Sequence, residues 1–183
     1  MMKSHYFLAV SLPETVKDAL EAWRQQHQKE LPFQLWVHHD DYHITLVFLG
    51  EVSSLLLSRI QEEMQQLSIN RRFSITVQGI GAFGLTERPR VLWAGITHPP
   101  ELFALQKQVY NFCEALGFSL ETRPYRPHIT LARRWRGEYP LTDLQQRKNH
   151  ELSFSVEKIT LYKSHLQRTP KYEEIFSILL SES

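Results

Sequence analysis

Apolar residues along this chain follow strand-like and helix-like spacings in turn, and the same succession occurs twice. In the first half, Tyr6–Leu12 is a nearly continuous apolar run that reads as a strand. Glu14–Lys29 then has helical spacing of Val16, Leu20 and Trp23, opened by Pro13. Leu31–Val37 alternates as a strand does, and His43–Leu49 is a second strand ending at Gly50. Ser53–Leu67 places Leu56, Ile60, Met64 and Leu67 on one helical face, and Phe73–Gln78 is strand-like again. In the second half, Val91–Thr97 predicts a strand and Glu101–Leu116 a helix, with Gly117 as its cap. Phe118–Leu120 and His128–Ala132 predict strands, Leu141–Arg147 a short helix, and Phe154–Lys163 and Tyr172–Leu179 late strands.

The repetition reaches the residues themselves. Sliding the chain by 85 positions lays Ala9 on Ala94 and Ala19-Leu20 on Ala104-Leu105. It lays Leu31-x-Phe33-x-Leu35 on Leu116-x-Phe118-x-Leu120, and His43-Ile-Thr-Leu46 on His128-Ile-Thr-Leu131. Agreement of four segments in one register marks an internal repeat. The predicted architecture is α+β: one domain over 1–183, made of pseudo-symmetric lobes at about 1–88 and 89–183. Each lobe is a small sheet with flanking helices, and the two enclose a central groove. Short connections make the sheets antiparallel or mixed.

Composition narrows the partners. The chain has 42% hydrophobic and 22% charged residues, a balance that supports a substantial core. A net charge of +1 excludes a generic nucleic-acid coat, so an anionic ligand must meet a local cluster of cations. Cys113 is the only cysteine, which excludes an intrachain disulfide and fits a reducing compartment. Tyr6–Leu12 is too short for a membrane span and lacks a small-residue cleavage pattern. A cytoplasmic monomer with no membrane contact is the expectation.

The repeated tetrapeptide carries the chemistry. In a strand, His43 and Thr45 share one face while Ile44 and Leu46 turn into the core, and the same holds for His128 and Thr130. Two polar faces meeting across a groove would present two imidazoles and two hydroxyls. With ordinary pKa values of about 6.5, one imidazole can take a proton from water while the other protonates a leaving oxygen. The hydroxyls can donate to non-bridging phosphate oxygens. Such a site suits in-line displacement at a phosphodiester and needs no metal or other cofactor. A single histidine on a half-buried strand is usually structural; two at matching repeat positions point to function.

Arginines surround the second motif: Arg123, Arg126, Arg133, Arg134 and Arg136, interleaved with Tyr125 and Trp135. Guanidinium groups fit phosphate, and aromatic rings can stack on bases. Strict alternation turns Arg133 away from His128 and Thr130 unless the strand ends or bulges near Ala132, whereas Arg134 has the favourable parity. Pro127 fixes the approach to His128 and biases Arg126 to extended geometry. A rival constellation, His38-His39-Asp40-Asp41, has the composition of a metal site, but no spaced partners elsewhere in the sequence complete it. It reads as a polar turn into the strand. Phe7, Trp23, Phe48 and Trp93 read as core.

At these residues the chain resembles the two-histidine (2H) phosphoesterase superfamily, specifically bacterial RNA 2′,3′-cyclic phosphodiesterases, also called 2′-5′ RNA ligases. The resemblance rests on Phe7-Leu-Ala-Val10 before Leu12-Pro13, His43-Ile-Thr-Leu-Val-Phe-Leu-Gly50, Arg126-Pro-His-Ile-Thr-Leu-Ala-Arg133 and Leu161-Tyr-Lys-Ser164. It implies hydrolysis of a ribose 2′,3′-cyclic phosphate at an RNA end to a 2′-phosphomonoester. By that likeness His43 is the proton donor and His128 the proton acceptor. Thr45, Thr130, Arg133 and Arg126 then bind the phosphate, and no metal takes part. His5-Tyr6 and Thr169-Pro170 depart from the family pattern. Ligation by a 5′-hydroxyl through the same geometry stays open. So do a 2H phosphodiesterase for small cyclic nucleotides or 2′-5′ oligoadenylates, and a non-catalytic RNA-end binder.

Overall fold

The computed structural model describes residues 4–66, 71–144, 147, 149 and 151–182. Its elements follow the predicted order: β1 (His5–Ser11), α1 (Glu14–His27), β2 (Phe33–Trp36), β3 (His43–Glu51), α2 (Ser54–Met64), β4 (Phe73–Leu85), β5 (Arg88–Ile96), α3 (Pro100–Ala115), β6 (Ile129–Trp135), β7 (Leu152–Val156), β8 (Lys158–Ser164) and β9 (Tyr172–Leu179). A 3₁₀ turn over His39–Asp41 leads into β3, as the polar run there predicts. Pro13 caps α1, the Ser53 hydroxyl accepts from the Leu56 amide at the start of α2, and Gly117 turns left-handed after α3 (φ 93°).

Three expectations differ. Phe118–Leu120 forms no strand, and Phe118 is held instead by its amide bonding back to the Cys113 carbonyl, 3.2 Å. Phe154–Lys163 is two strands broken at Glu157, and β4 runs on to Leu85 to form a long hairpin with β5. The helix expected over Leu141–Arg147 runs into residues outside those described, as does Leu67 at the end of α2.

All named strands join one antiparallel sheet in the order β7-β4-β5-β6-β3-β1-β8-β9, with β2 paired to β6. The chain's two halves do not correspond to the sheet's two halves. β4, the last strand of the first repeat, pairs with β5 and β7 of the second; β8, its counterpart in the second repeat, pairs with β1 of the first. The repeats therefore exchange their closing strands. Buried faces of the three helices (Val16, Leu20 and Trp23; Ile60 and Met64; Leu102, Leu105, Val109 and Cys113) join Leu8, Ile44, Ile129 and Leu161 in one apolar cluster. Burial of such side chains contributes about 1.5–3 kcal/mol each, which commits that face of the sheet to the core. The opposite face carries the two histidine motifs among a set of aromatic rings. Among the described residues, no helix is long and apolar enough to cross a membrane.

Candidate active site

The two halves of the sheet meet where the tetrapeptides lie. A single ladder pair, Ile44 opposite Ile129, joins β3 to β6, and both side chains are fully buried. Antiparallel register about that pair puts His43 beside Thr130 and Thr45 beside His128, all on the face away from the core.

Each imidazole is fixed in the same way. Nδ1 of His43 donates to the Asp41 carbonyl and Nδ1 of His128 to the Arg126 carbonyl, both at 2.7 Å. A carbonyl only accepts, so the neutral rings carry hydrogen on Nδ1 and leave Nε2 as the unprotonated, accepting nitrogen. Nε2 of His43 lies 3.0 Å from the Thr45 hydroxyl, which donates to it in this tautomer. Aromatic edges brace both rings: Tyr172 meets His43 at 87° with 5.2 Å between centroids, and Phe83 meets His128 at 88° and 4.9 Å. Phe7 and Tyr162 complete the box around His43. Beside Phe83, Gly81 leaves room for the Trp93 ring, with which any side chain there would collide.

Arg133 faces this site, against strict alternation, because β6 bulges. Along β6 the partners of β5 run Trp93–Thr130 and then Leu92–Ala132, so Leu131 is the extra residue. Leu131 and Ala132 are consequently both buried, and every later side chain changes face. β3 carries the same device at the repeat-related position: Ala9 pairs with Thr45 and Leu8 with Val47, leaving Leu46 extra. Phe48 therefore emerges on the His43 face at 62% exposure and is not core; it packs near Phe7, 5.8 Å between centroids. Phe7 and Trp23 are buried as expected, while Trp93 is half-buried.

Electrostatics follow from burial and from Arg133. Burial pushes the His43 pKa down to about 4, with the charges of His128 and Arg133 acting in the same direction and the Asp41 carbonyl opposing. His128 is also lowered, first by burial and further by Arg133, against its bond to the Arg126 carbonyl. Burial raises Tyr172, and Arg133 opposes that shift. One guanidinium is thus sensed by all three groups.

The other cations divide. Arg126 supplies its carbonyl to His128 and has an exposed side chain. Arg123 pairs with Glu121 at 2.7 Å, Arg136 donates to Gln34, and exposed Arg134 sits in the left-handed region (φ 63°). Tyr125 is tied down, its hydroxyl donating to the Thr45 carbonyl at 3.0 Å; Trp135 packs against Phe33. Both are half-buried. Missed at the level of sequence were Asp41, Phe83, Tyr162 and Tyr172; only the position two residues before each histidine was a local signal for the carbonyls.

The sequence offered the histidine–aspartate turn no spaced partners, yet α1 supplies them. Glu14, Asp18 and His39 bring one ligand atom each within 4.8 Å of one another. Glu14 and Asp18 are exposed and His39 half-buried, and each is already paired: His39 with Asp18 at 2.8 Å, and Glu14 with Lys17 at 2.8 Å. These residues satisfy one another and their neighbours as ion pairs, and their side chains bond within α1 and the 3₁₀ turn rather than to either histidine motif.

A family model described as LigT like Phosphoesterase matches residues 10–93 and 96–172. The chain is 42% identical over 178 residues to the RNA 2′,3′-cyclic phosphodiesterase of Geobacillus stearothermophilus, spanning 96% of this chain but 57% of that protein's length. It is 35% identical over 181 residues to the RNA 2′,3′-cyclic phosphodiesterase of Bacillus subtilis, spanning 98% of each. In three dimensions it resembles Escherichia coli LigT complexed with 3′-AMP, with a TM-score of 0.82 and 26% identity over 99% of this chain and 100% of that one. With both motifs inside the matched segments and a full-length relative above 30% identity, the chain belongs to the LigT-like phosphoesterase family.

Proposed function

We propose that this protein hydrolyses 2′,3′-cyclic phosphodiester ends of RNA to 2′-phosphomonoesters by acid–base catalysis between His43 and His128, without a metal. The observation that carries the reading is the pair of Nε2 atoms left unprotonated by identical Nδ1–carbonyl bonds on either side of the Ile44–Ile129 pair. His128 Nε2 takes a proton from water as its oxygen bonds to phosphorus. The P–O3′ bond breaks, and His43, protonated on Nε2, gives its proton to the departing 3′ oxygen. Thr45, Thr130 and Arg133 hold the non-bridging oxygens, with the Arg126 side chain at the rim. Without an anion beside it His43 holds a proton poorly; a bound phosphodiester raises its pKa and so prepares the donor as substrate arrives.

The working unit is the whole 1–183 chain as a monomer in the cytoplasm, consistent with its one buried cysteine. The test is incubation of an oligonucleotide ending in a 2′,3′-cyclic phosphate, with identification of the product. A 2′-phosphate with a free 3′-hydroxyl is expected; no turnover, or a 3′-phosphate, overturns the reading. Turnover of cyclic mononucleotides alone would instead favour a small-nucleotide phosphodiesterase.

A further inference from the structure

Asp41 belongs to neither motif, yet at 4% exposure it is the one buried charged residue among those described. Isolated charges are not buried without partners. Its partners lie far along the chain: the carboxylate accepts the backbone N–H groups of Lys171 at 2.8 Å and Tyr172 at 2.9 Å, where the chain enters β9. Bonds of this kind, from amide to carboxylate, are among the stronger ones in proteins.

The same residue touches His43 by two routes. Its backbone carbonyl receives Nδ1–H of the imidazole at 2.7 Å, and its carboxylate holds the amide of Tyr172, whose ring meets His43 edge-on. The Tyr172 ring also meets Phe7 edge-on, 4.8 Å between centroids. The second motif has nothing equivalent among the described residues: exposed Arg126 stands at the matching position and supplies only its carbonyl. The two histidines are therefore anchored unequally. His128 has its local carbonyl bond and the Phe83 edge with no carboxylate linking the two, while for His43 one residue, Asp41, supplies the carbonyl and also holds the strand that carries the aromatic edge.

Resting on the acid–base reading above, we propose that Asp41 is the positioning residue for His43: by stapling the start of β9 to the turn before β3, it fixes the carbonyl and the aromatic edge that orient this imidazole. A group that must deliver a proton along a fixed line loses efficiency quickly when misplaced; a shift near 1 Å costs on the order of 100-fold. Asparagine would offer only one oxygen to two N–H donors and turn its own N–H₂ toward the other.

The experiment compares full-length wild type with Asp41→Asn. Expected is a fall in kcat of about 10- to 100-fold with KM changed by less than about threefold. In the unliganded proteins, imidazole ¹⁵N shifts should show His43 losing its pure Nδ1–H tautomer while His128 keeps its own. That tautomer reading needs no turnover. An inactive wild type whose His43 tautomer still depends on Asp41 would sink the hydrolysis proposal and leave the positioning role standing. Folded Asp41→Asn protein with wild-type kcat and an unchanged His43 tautomer overturns the positioning role. Should Asp41→Asn fail to fold, the same readings decide on Asp41→Glu, which keeps the charge and moves the carboxylate by one methylene.

Discussion

Ile44 and Ile129 oppose each other across the single ladder pair between β3 and β6, and each directly follows one of the two histidines. The relation fixes which residues can cooperate. A twofold relation about that pair carries His43 onto His128 and Thr45 onto Thr130, so the site has two equivalent corners whose roles are separated by their surroundings. Neighbours on β1 and β9 enclose His43, whereas Phe83 of β4 braces His128.

His43→Ala and His128→Ala should each lower kcat by about 10²–10⁴-fold while the fold persists, since each removes one proton-transfer partner from the non-core face. Steady-state rates on a cyclic-phosphate oligonucleotide, with circular dichroism of each variant, check this. Near-wild-type turnover by either folded variant contradicts the two-histidine mechanism.

Thr45→Val and Thr130→Val should be milder, at roughly 10- to 100-fold, because a single hydrogen bond to a charged group is worth about 1.5–3 kcal/mol. Both proton transfers stay in place in these variants. A threonine variant more damaged than the matching histidine variant would show that phosphate contact, and not proton transfer, dominates.

The bulge at Leu131 separates two adjacent arginines. Arg133→Ala should cost about 10-fold or more in kcat/KM, the scale of one charge-assisted phosphate contact, whereas Arg134→Ala should stay within about threefold. Equal losses would mean that β6 presents Arg134 to the substrate as well.

The depressed histidines set the pH dependence. Burial penalises imidazolium, so both free-enzyme pKa values lie below 6.5, with His43 near 4. The profile of kcat/KM should therefore be a bell whose alkaline limb begins below about 6.5 and falls about tenfold per pH unit. In kcat the alkaline limb should move upward, because bound phosphate stabilises the protonated donor. Arg133→Gln should shift both limbs of kcat/KM upward, since a positive neighbour is removed from each ring. The limbs belong to the coupled pair and not to single residues. An alkaline limb above about 7 in kcat/KM would contradict the burial of these rings.

Prolonged treatment with EDTA should leave turnover essentially unchanged, and divalent ions should not restore the histidine variants. Loss on chelation with recovery on one specific ion would point to a metal-activated water and would turn interest to Glu14, Asp18 and His39.

Much of this arrangement was legible along the chain, for reasons that can be named. His43, Thr45, His128 and Thr130 were readable because a period-two strand sorts side chains by face and the repeat doubled the signal. Phe48 was not, and Arg133 was reached only through the family resemblance and on condition of a bulge, since each follows a one-residue bulge that reverses the face of everything after it. Alternating sequence gives no warning of such a bulge: Leu46-Val47 and Leu131-Ala132 look like ordinary strand. Asp41 escaped because its partners, Lys171 and Tyr172, are 130 and 131 positions away. The lobes near 1–88 and 89–183 were visible as repeats, but the exchange of β4 and β8 is a property of pairing, which no local pattern encodes.

That exchange also governs how the molecule can come apart. Severing the turn between Leu85 and Arg88 would give one fragment whose β4 lacks β5 and β7, and whose β1 lacks β8. The other fragment would hold β5, β7 and β8 with the same neighbours missing. Each piece would expose unpaired strand edges, and such edges seek partners. Neither piece would offer half an active site, because each histidine is braced by an aromatic ring from the other: Tyr172 for His43 and Phe83 for His128. Mixed together, the pieces should regain function only as a reassembled pair, with both imidazoles restored in one step.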